Sequence, residues 1–199
     1  MRDLSLHLLD IIQNSVNAGA RRIEAEFTAE PALNLLTMVV RDNGCGMPPE
    51  LARQVTDPFV TTRTTRSVGL GLPLLKEQCE LTGGRLLLES EVGAGTVLTA
   101  EFGLDSIDRL PLGEISSTWV VLIMADPLID YRLVLQSPGR HFELDLAAVR
   151  EQLTGVSPAE PAVLEWIKDY IDEQQQIIFG GILHEIISRT GCDSAESPG

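Results

Sequence analysis

Positive charge is scarce in this 199-residue sequence. Lysine and arginine together number 15, against 29 aspartates and glutamates, which gives a formal net charge of −14. A surface that neutralises nucleic-acid phosphates needs a basic stripe, and docking on an anionic membrane also needs basic clusters. We therefore expect neither a nucleic acid nor a membrane among the partners of this protein.

Long apolar runs and cysteines are also few. No apolar stretch approaches the roughly 20 residues that span a bilayer, and the first ten residues carry acids and a histidine where a secretory signal needs an unbroken apolar segment. The three cysteines, Cys45, Cys79 and Cys192, lack metal-ligand spacing and leave one without a mate. We expect a cytoplasmic protein whose cysteines are neither metal ligands nor nucleophiles.

Hydrophobic residues make up 44% of the chain, an ordinary globular value, and their spacing predicts helices and strands. In the first half the predicted elements are a helix over residues 4–18, paired strands in RRIEAEF and LNLLTMVVRDN, a short helix in MPPELARQV, a helix in LPLLKEQCELTGG and a hairpin in RLLLESEVGAGTVLTAEF. In the second half they are a helix in ISSTWVVLIMADP, a hairpin in IDYRLVLQSPGRHFELDL, and helices in AAVREQL and from Pro161 to Ile187.

Three polar side chains share one face of the first predicted helix. Asp10 and Asn14 are four residues apart and Asn17 is three further on, so all three lie along one to two turns. Asparagine is a poor helix former, yet its amide oxygen can ligate Mg²⁺, and a carboxylate can deprotonate a water or a hydroxyl. A solvated surface would give the same pattern, so the stripe alone leaves both interpretations open.

Four later segments combine glycine with polar groups. DNGCGM (residues 42–47) ends a strand with a carboxylate that can accept from an amino-bearing ring, and its glycines allow close approach. VGLGLPLLKE (68–77) runs from a loop into a helix, where free amides and the macrodipole favour phosphate. TTRTTR (61–66) suits a flexible lid over a polyphosphate, and GAGT (93–96) enters a strand. Taken singly, each is also compatible with a plain turn, surface loop or hairpin.

Together, in this order and spacing, these segments resemble the GHKL superfamily, which includes DNA gyrase, the ninety-kilodalton heat-shock chaperone, sensor histidine kinases and MutL. DIIQNSVNAGA is similar to the N box, DNGCGM to the first glycine box, GLGLPL to the second and GAGT to the last. DPFVTTR is similar to the phenylalanine-containing segment of the histidine kinases. The resemblance covers about residues 4–103.

The resemblance implies a fold and a domain organisation. The fold is α+β: a two-layer α/β sandwich of the Bergerat type, whose mixed, largely antiparallel sheet carries helices on one face. We expect the ATP-binding domain over residues 1–104, a small C-terminal α/β extension over 105–190 and a disordered tail over 191–199. We also expect a stand-alone domain, because the helical hairpin that carries the phosphoacceptor histidine of the kinases does not precede the N box.

The resemblance also implies ATP and Mg²⁺ as ligands and gives roles to residues. Asn14 would ligate Mg²⁺, Asp10 stands where the family ATPases carry a general base, and Asp42 would accept from the adenine amino group. His7, one turn before Asp10, is predicted to pack or to support the site. The other implied nucleotide-binding positions are Asn17, Gly44, Gly46, Met47, Thr61, Thr62, Arg63, Gly69, Leu70, Gly71, Leu72 and Thr96.

Aspartate is one methylene shorter than the glutamate of the family ATPases, so we expect slow ATP hydrolysis, coupled to a conformational switch or to a partner. Two alternatives stay open. One is a stand-alone kinase that phosphorylates a serine or histidine of a partner in trans, like the kinases of anti-sigma-factor type. The other is a module that senses nucleotide without chemistry. The C-terminal half is expected to bind a protein partner or a second copy of the chain.

Overall fold

A computed structural model describes residues 2–55 and 71–190 of the chain, the last seven of these as backbone only. Helices and strands follow one another there in the predicted order. They are α1 (Leu4–Asn17), β1 (Arg22–Glu30), β2 (Leu35–Asp42), α2 (Pro49–Gln54), α3 (Gly71–Leu81), β3 (Arg85–Glu91), β4 (Gly95–Gly103), α4 (Ile115–Ala125), β5 (Asp130–Ser137), β6 (Arg140–Asp145), α5 (Leu146–Gln152) and α6 (Pro161–Thr190).

The strands form one six-stranded sheet in the order β3-β4-β2-β1-β5-β6. Neighbouring strands pair antiparallel except β1 and β5, which are parallel from Arg22 opposite Asp130 to Thr28 opposite Gln136. The predicted α+β class, with a mixed and largely antiparallel sheet, is confirmed.

Helix α1 begins at the predicted residue, Leu4, and ends at Asn17, one residue before the predicted end. The Asp3 side chain accepts from the backbone N–H of Leu6 and caps the first turn. Gly19 follows the last turn at φ +78°, a conformation that glycine adopts without steric cost. The predicted packing face of this helix is buried and consists of Leu4, Leu8, Ile11, Ile12 and Ser15.

The two faces of the sheet differ in character. On β1 the side chains of Ile23, Ala25, Phe27 and Ala29 are fully buried under the helices. The opposite face of the same strand carries Glu24, which pairs with Arg41 at 2.9 Å and with Arg132 of β5. Helices therefore cover one face, as predicted, and ion pairs across strands cover the other.

The C-terminal hairpin joins the N-terminal sheet directly. Strand β5 pairs along β1, and α4 and α6 pack over it with Trp119 at 1% exposure and Ile167 fully buried. The division between residues 1–104 and 105–190 stays a prediction, but hydrogen bonds of one sheet run through both parts. The predicted tail, residues 191–199, lies outside the described residues.

Candidate functional site

A cavity of about 330 Å³ opens between α1 and the sheet. Most of its wall is apolar side chain, from Ile11, Val40, Met47, Leu51, Val55, Leu72, Leu88 and Leu98. Its polar groups come from Asn14, Ser15, Asn17, Asp42, Cys45 and Thr96. Ala18 and Gly46 also line it. A concave, mainly apolar chamber with a few convergent polar groups is typical of a small-molecule site.

Asp42, the last residue of β2, is held firmly at the edge of this cavity. The Ser15 hydroxyl donates to its Oδ2 at 2.7 Å, and the backbone N–H of Gly44 donates to its Oδ1 at 2.8 Å. Gly44 itself packs against α1, where an added Cβ would lie 2.9 Å from the Ala18 Cβ. Gly44 therefore orients the carboxylate from behind and is not part of the cavity wall.

The segment after Asp42 is anchored through its backbone. Cys45 donates its N–H to the carbonyl of Ala18 at 2.9 Å and accepts from the N–H of Gly93 at 2.8 Å. Gly46 has φ +64°, and a Cβ there would lie 1.9 Å from the carbonyl oxygen of Glu91. Glycine is thus required at position 46, because both the dihedral angle and the space exclude a side chain.

Two serines that the sequence analysis did not assign to the site complete it. Ser15, predicted as a packing residue, is buried and also donates to Asp42. Ser90 on β3 accepts from the backbone N–H of Met47 and lies 2.9 Å from the Thr96 hydroxyl. The alternation of β3 indicates this orientation, because Ser90 has the same parity as Leu88, which lines the cavity.

Asp10 lies beside the cavity and not in its wall. Its Oδ2 is buried and has no hydrogen-bond partner within residues 2–55 and 71–190. A Cβ on Gly71, the first residue of α3, would lie 1.8 Å from that oxygen, so Gly71 gives the carboxylate its room. Burial raises the pKa of Asp10 above its ordinary value. A carboxylate so placed is a stronger base than an exposed aspartate.

His7 is enclosed one turn before Asp10, with 2% of its surface exposed. Burial lowers the pKa of His7 to about 4. The imidazole is therefore neutral at physiological pH. This environment is consistent with the predicted packing or supporting role.

The remaining predicted positions divide into two groups. Asn14, Asn17, Met47, Leu72 and Thr96 line the same cavity. Five others lie outside the described residues and stay predictions: Thr61, Thr62, Arg63, Gly69 and Leu70.

The described part of the chain has neither a clustered metal site nor a membrane-spanning helix. Cys45 is exposed and Cys79 buried, and both are free thiols. Within residues 2–55 and 71–190, no group of three His, Cys, Asp or Glu side chains is arranged to hold a metal ion. None of the helices in this part combines the length and the apolar character needed to cross a bilayer.

Comparisons with known proteins match the motif-bearing half of the chain. The sequence is 30% identical over 102 residues to the histidine protein kinase DivJ of Caulobacter vibrioides, covering 49% of this chain and 17% of that protein. It is 34% identical over 102 residues to sporulation kinase C of Bacillus subtilis, covering 49% of this chain and 23% of that protein. The chain thus matches about a fifth of the length of these relatives.

A solved structure with a similar arrangement is the MutL ATPase domain of Aquifex aeolicus complexed with ADP. It has a TM-score of 0.43 at 14% identity and covers 77% of this chain and 68% of that one. The family model described as "Histidine kinase-, DNA gyrase B-, and HSP90-like ATPase" matches residues 2–106, just over half of the chain. The chain therefore belongs to the family of histidine kinase-, DNA gyrase B- and HSP90-like ATPases.

Proposed function

We propose that this chain binds Mg-ATP in the cavity beside α1 and hydrolyses it slowly, with Asp10 as the general base. The observation that carries the proposal is the buried Oδ2 of Asp10, which has no partner among the described residues, on the helix whose Asn14 lines the cavity. A base acts best when its pKa lies near the working pH, and burial moves the pKa of Asp10 in that direction.

The residues present fit a purine nucleotide. Apolar side chains such as Val40, Leu88 and Leu98 offer a surface for a flat ring. The Asp42 carboxylate, fixed by Ser15 and Gly44, offers an acceptor for an amino group at the ring edge. Thr96 lies next to Asp42 in the strand register and adds a hydroxyl to the same edge.

The residues also fit a magnesium ion that is shared with a nucleotide. Mg²⁺ commonly takes one or two protein oxygens and completes its shell with phosphates and water. Asn14 supplies one amide oxygen from the cavity wall, which suits such a site better than a cage of protein ligands. Bound there, Mg²⁺ would neutralise phosphate charge, while Asp10 accepts the proton of the attacking water and His7 excludes solvent behind it.

A second candidate is transfer of the phosphoryl group to a hydroxyl or imidazole of another protein. The kinases among the relatives favour it, and Asp10 would then activate that acceptor in place of water. The predicted partner surface in the C-terminal half remains a proposal. It is supported by the exposure of Val121, Met124 and Leu128, at 49%, 62% and 72%.

Incubation of the full chain with γ-labelled ATP and Mg²⁺, with and without a bacterial extract, separates these functions. Free labelled phosphate indicates hydrolysis, a labelled extract protein indicates a kinase, and neither product with measurable ATP binding indicates a nucleotide sensor. Asp10→Asn should reduce either turnover by on the order of 10²- to 10⁴-fold and leave the Kd for ATP within about twofold of wild type, because Asp10 is not in the cavity wall.

The matched control is Asp126→Asn, which removes a carboxylate paired with the exposed Arg21. We expect it to leave turnover unchanged. Full turnover in the Asp10→Asn variant would show that Asp10 is not the base.

A further inference from the structure

Ser90 contacts three different groups, of which two, Met47 and Thr96, belong to residues of the cavity wall. Its Oγ accepts from the backbone N–H of Met47 at 2.9 Å, and it lies 3.0 Å from the carbonyl oxygen of Gly95 and 2.9 Å from Thr96 Oγ1. Ser90 on β3 is directly opposite Thr96 on β4, and Thr96 is directly opposite Asp42 on β2. The three side chains thus form one row across the sheet, with Thr96 in the middle.

The hydrogen atoms of this row can be assigned from the partners. A serine hydroxyl has one hydrogen to donate and two lone pairs to accept with. The N–H of Met47 can only donate, and the carbonyl of Gly95 can only accept. All three contacts of Ser90 are satisfied together when Ser90 donates to Gly95 and accepts from the Thr96 hydroxyl. The Thr96 hydrogen then points at Ser90, and Thr96 offers only lone pairs to the cavity.

This assignment makes the edge of the cavity a pure acceptor. The Asp42 carboxylate beside Thr96 also only accepts, and its two oxygens are already oriented by Ser15 and Gly44. A ligand that meets both groups, directly or through a water, gains most when its own edge donates hydrogen. An exocyclic amine donates in this way, whereas a ring carbonyl is itself an acceptor and cannot form a hydrogen bond with either group.

We infer that Ser90 is a positioning residue that sets the base specificity of the cavity by holding Thr96 as an acceptor. The site then favours a 6-amino purine nucleotide over its 6-oxo counterpart. This inference rests on the proposed function, because it assumes that the nucleotide base occupies the cavity.

The test measures the Kd of ATP and of inosine triphosphate, which differ at the 6-position of the purine, with Mg²⁺ and the full chain. In Ser90→Ala the Thr96 hydroxyl is released to donate, so the preference for ATP should shrink roughly three- to tenfold, the equivalent of one hydrogen bond. The double variant Ser90→Ala, Thr96→Val should have the same preference for ATP as the single variant Thr96→Val, because the Thr96 hydroxyl is absent from both.

Ser90→Thr and Ser90→Val form a matched pair should Ser90→Ala fold poorly, because both add the same bulk and the threonine keeps the hydroxyl. We expect Ser90→Thr to retain the preference for ATP and Ser90→Val to lose it. Ser137→Ala is the control. It removes a buried hydroxyl that donates to the carbonyl of Ile178, outside the cavity wall, and should leave both Kd values unchanged.

The inference is overturned if Ser90→Ala and Ser90→Val both keep the wild-type preference for ATP over inosine triphosphate. It is also overturned if these variants lose affinity for the two nucleotides equally. It is also overturned by an undiminished effect of Ser90→Ala in the Thr96→Val background. These outcomes leave ATP binding intact. A wild-type chain that binds no ATP would instead overturn the proposed function itself.

Discussion

In the N-terminal half of the chain, polar side chains converge on a cavity: the buried Ser15 and the partly buried Asp42 and Thr96 line it, and the partly buried Ser90 contacts Thr96. In the C-terminal half, which belongs to the same sheet, polar side chains bind backbone carbonyls and salt-bridge partners. Arg150, for example, donates to Asp130 and to the carbonyls of Pro127 and Ile129.

The difference shows which polar residues carry information about function. A buried polar group costs free energy unless it is satisfied, so each must be explained by a partner or by a ligand. In the C-terminal half the partners of Arg150 Nη1 and Nη2 are groups of the chain itself. In the N-terminal half Asp10 Oδ2 is buried and has no partner among the described residues. Atoms of Ser116, Trp119, Arg150 and Gln175 in the C-terminal half are also buried without one, so the Asp10 oxygen points to a ligand because it lies on the helix whose Asn14 lines the cavity.

The largest expected effect compares two glycines with positive φ, one in each half. Gly46 has φ +64° with a backbone oxygen in the way of a Cβ, whereas Gly139 has φ +74° with nothing within 4 Å. Gly46→Ala should lower the free energy of unfolding by about 2–5 kcal/mol and abolish ATP binding, from the left-handed backbone and the overlap together. Gly139→Ala should cost about 1–2 kcal/mol and leave binding unchanged.

Urea unfolding of both variants, with ATP titration of the folded protein, checks this prediction. Equal losses of stability in the two variants would mean that the overlap of an added Cβ with the Glu91 carbonyl oxygen does not destabilise Gly46→Ala.

The next effect tests whether the two halves unfold as one unit. Leu133 on β5 is fully buried, and Leu133→Ala should cost about 2–5 kcal/mol. Both tryptophans of the chain, Trp119 and Trp166, lie in the C-terminal half. Because one sheet joins the halves, we expect their fluorescence and far-UV circular dichroism to report a single transition, which saturating ATP shifts upward.

A fluorescence transition that ATP does not shift, separate from the dichroism transition, would instead support two independent domains divided near residue 104. Tryptophan fluorescence is a useful probe here because the proposed ATP site and the two tryptophans lie in different halves of the chain.

A third effect depends on pH. The pKa of His7 is about 4 in the folded chain and 6.5 ordinarily, so the unfolded state binds more protons between these values. Stability should therefore fall as the pH drops from 6.5 towards 4, by up to about 3 kcal/mol. The raised pKa of Asp10 has the opposite sign, because the folded state then binds more protons and acidification favours folding.

Urea unfolding at several pH values checks both signs. His7→Leu should flatten the acid-side loss of stability, and Asp10→Asn should steepen it. An unchanged pH dependence in His7→Leu would show that His7 is not the group responsible.

The smallest effect concerns magnesium. Asn14→Ala should weaken Mg²⁺-dependent ATP binding roughly tenfold, the value of one ligand or charge-assisted hydrogen bond. Gln13→Ala, on the exposed side of the same helix, is the control and should bind like wild type. An unchanged magnesium titration in Asn14→Ala would exclude Asn14 as the ligand.

Local periodicity was enough to predict the helices and strands, because α1 repeats its apolar residues at helical spacing and β1 alternates buried Ile23, Ala25 and Phe27 with the partly exposed Glu24 and Glu26. It could not predict that β5 pairs with β1. That pairing joins residues more than a hundred positions apart, and its hydrogen bonds use backbone groups that every sequence has.

The same limit applied to the site. Motif spacing identified Asn14, Asp42 and Thr96 as site residues, and in the structure all three line one cavity. Ser90 was not predicted, because strand alternation gives only the face of the sheet on which its side chain lies, and only the register puts it opposite Thr96.

The sequence by itself determined the family, the order of elements and the polar stripe of α1, since these depend on residues close together along the chain. Only the tertiary structure decided that Gly71 lies on the Asp10 carboxylate, that Ser15 holds Asp42 and that Ser90 holds Thr96. Each of those contacts joins separate elements, and packing alone brings such elements within the 3 Å over which a hydrogen bond or a steric clash acts.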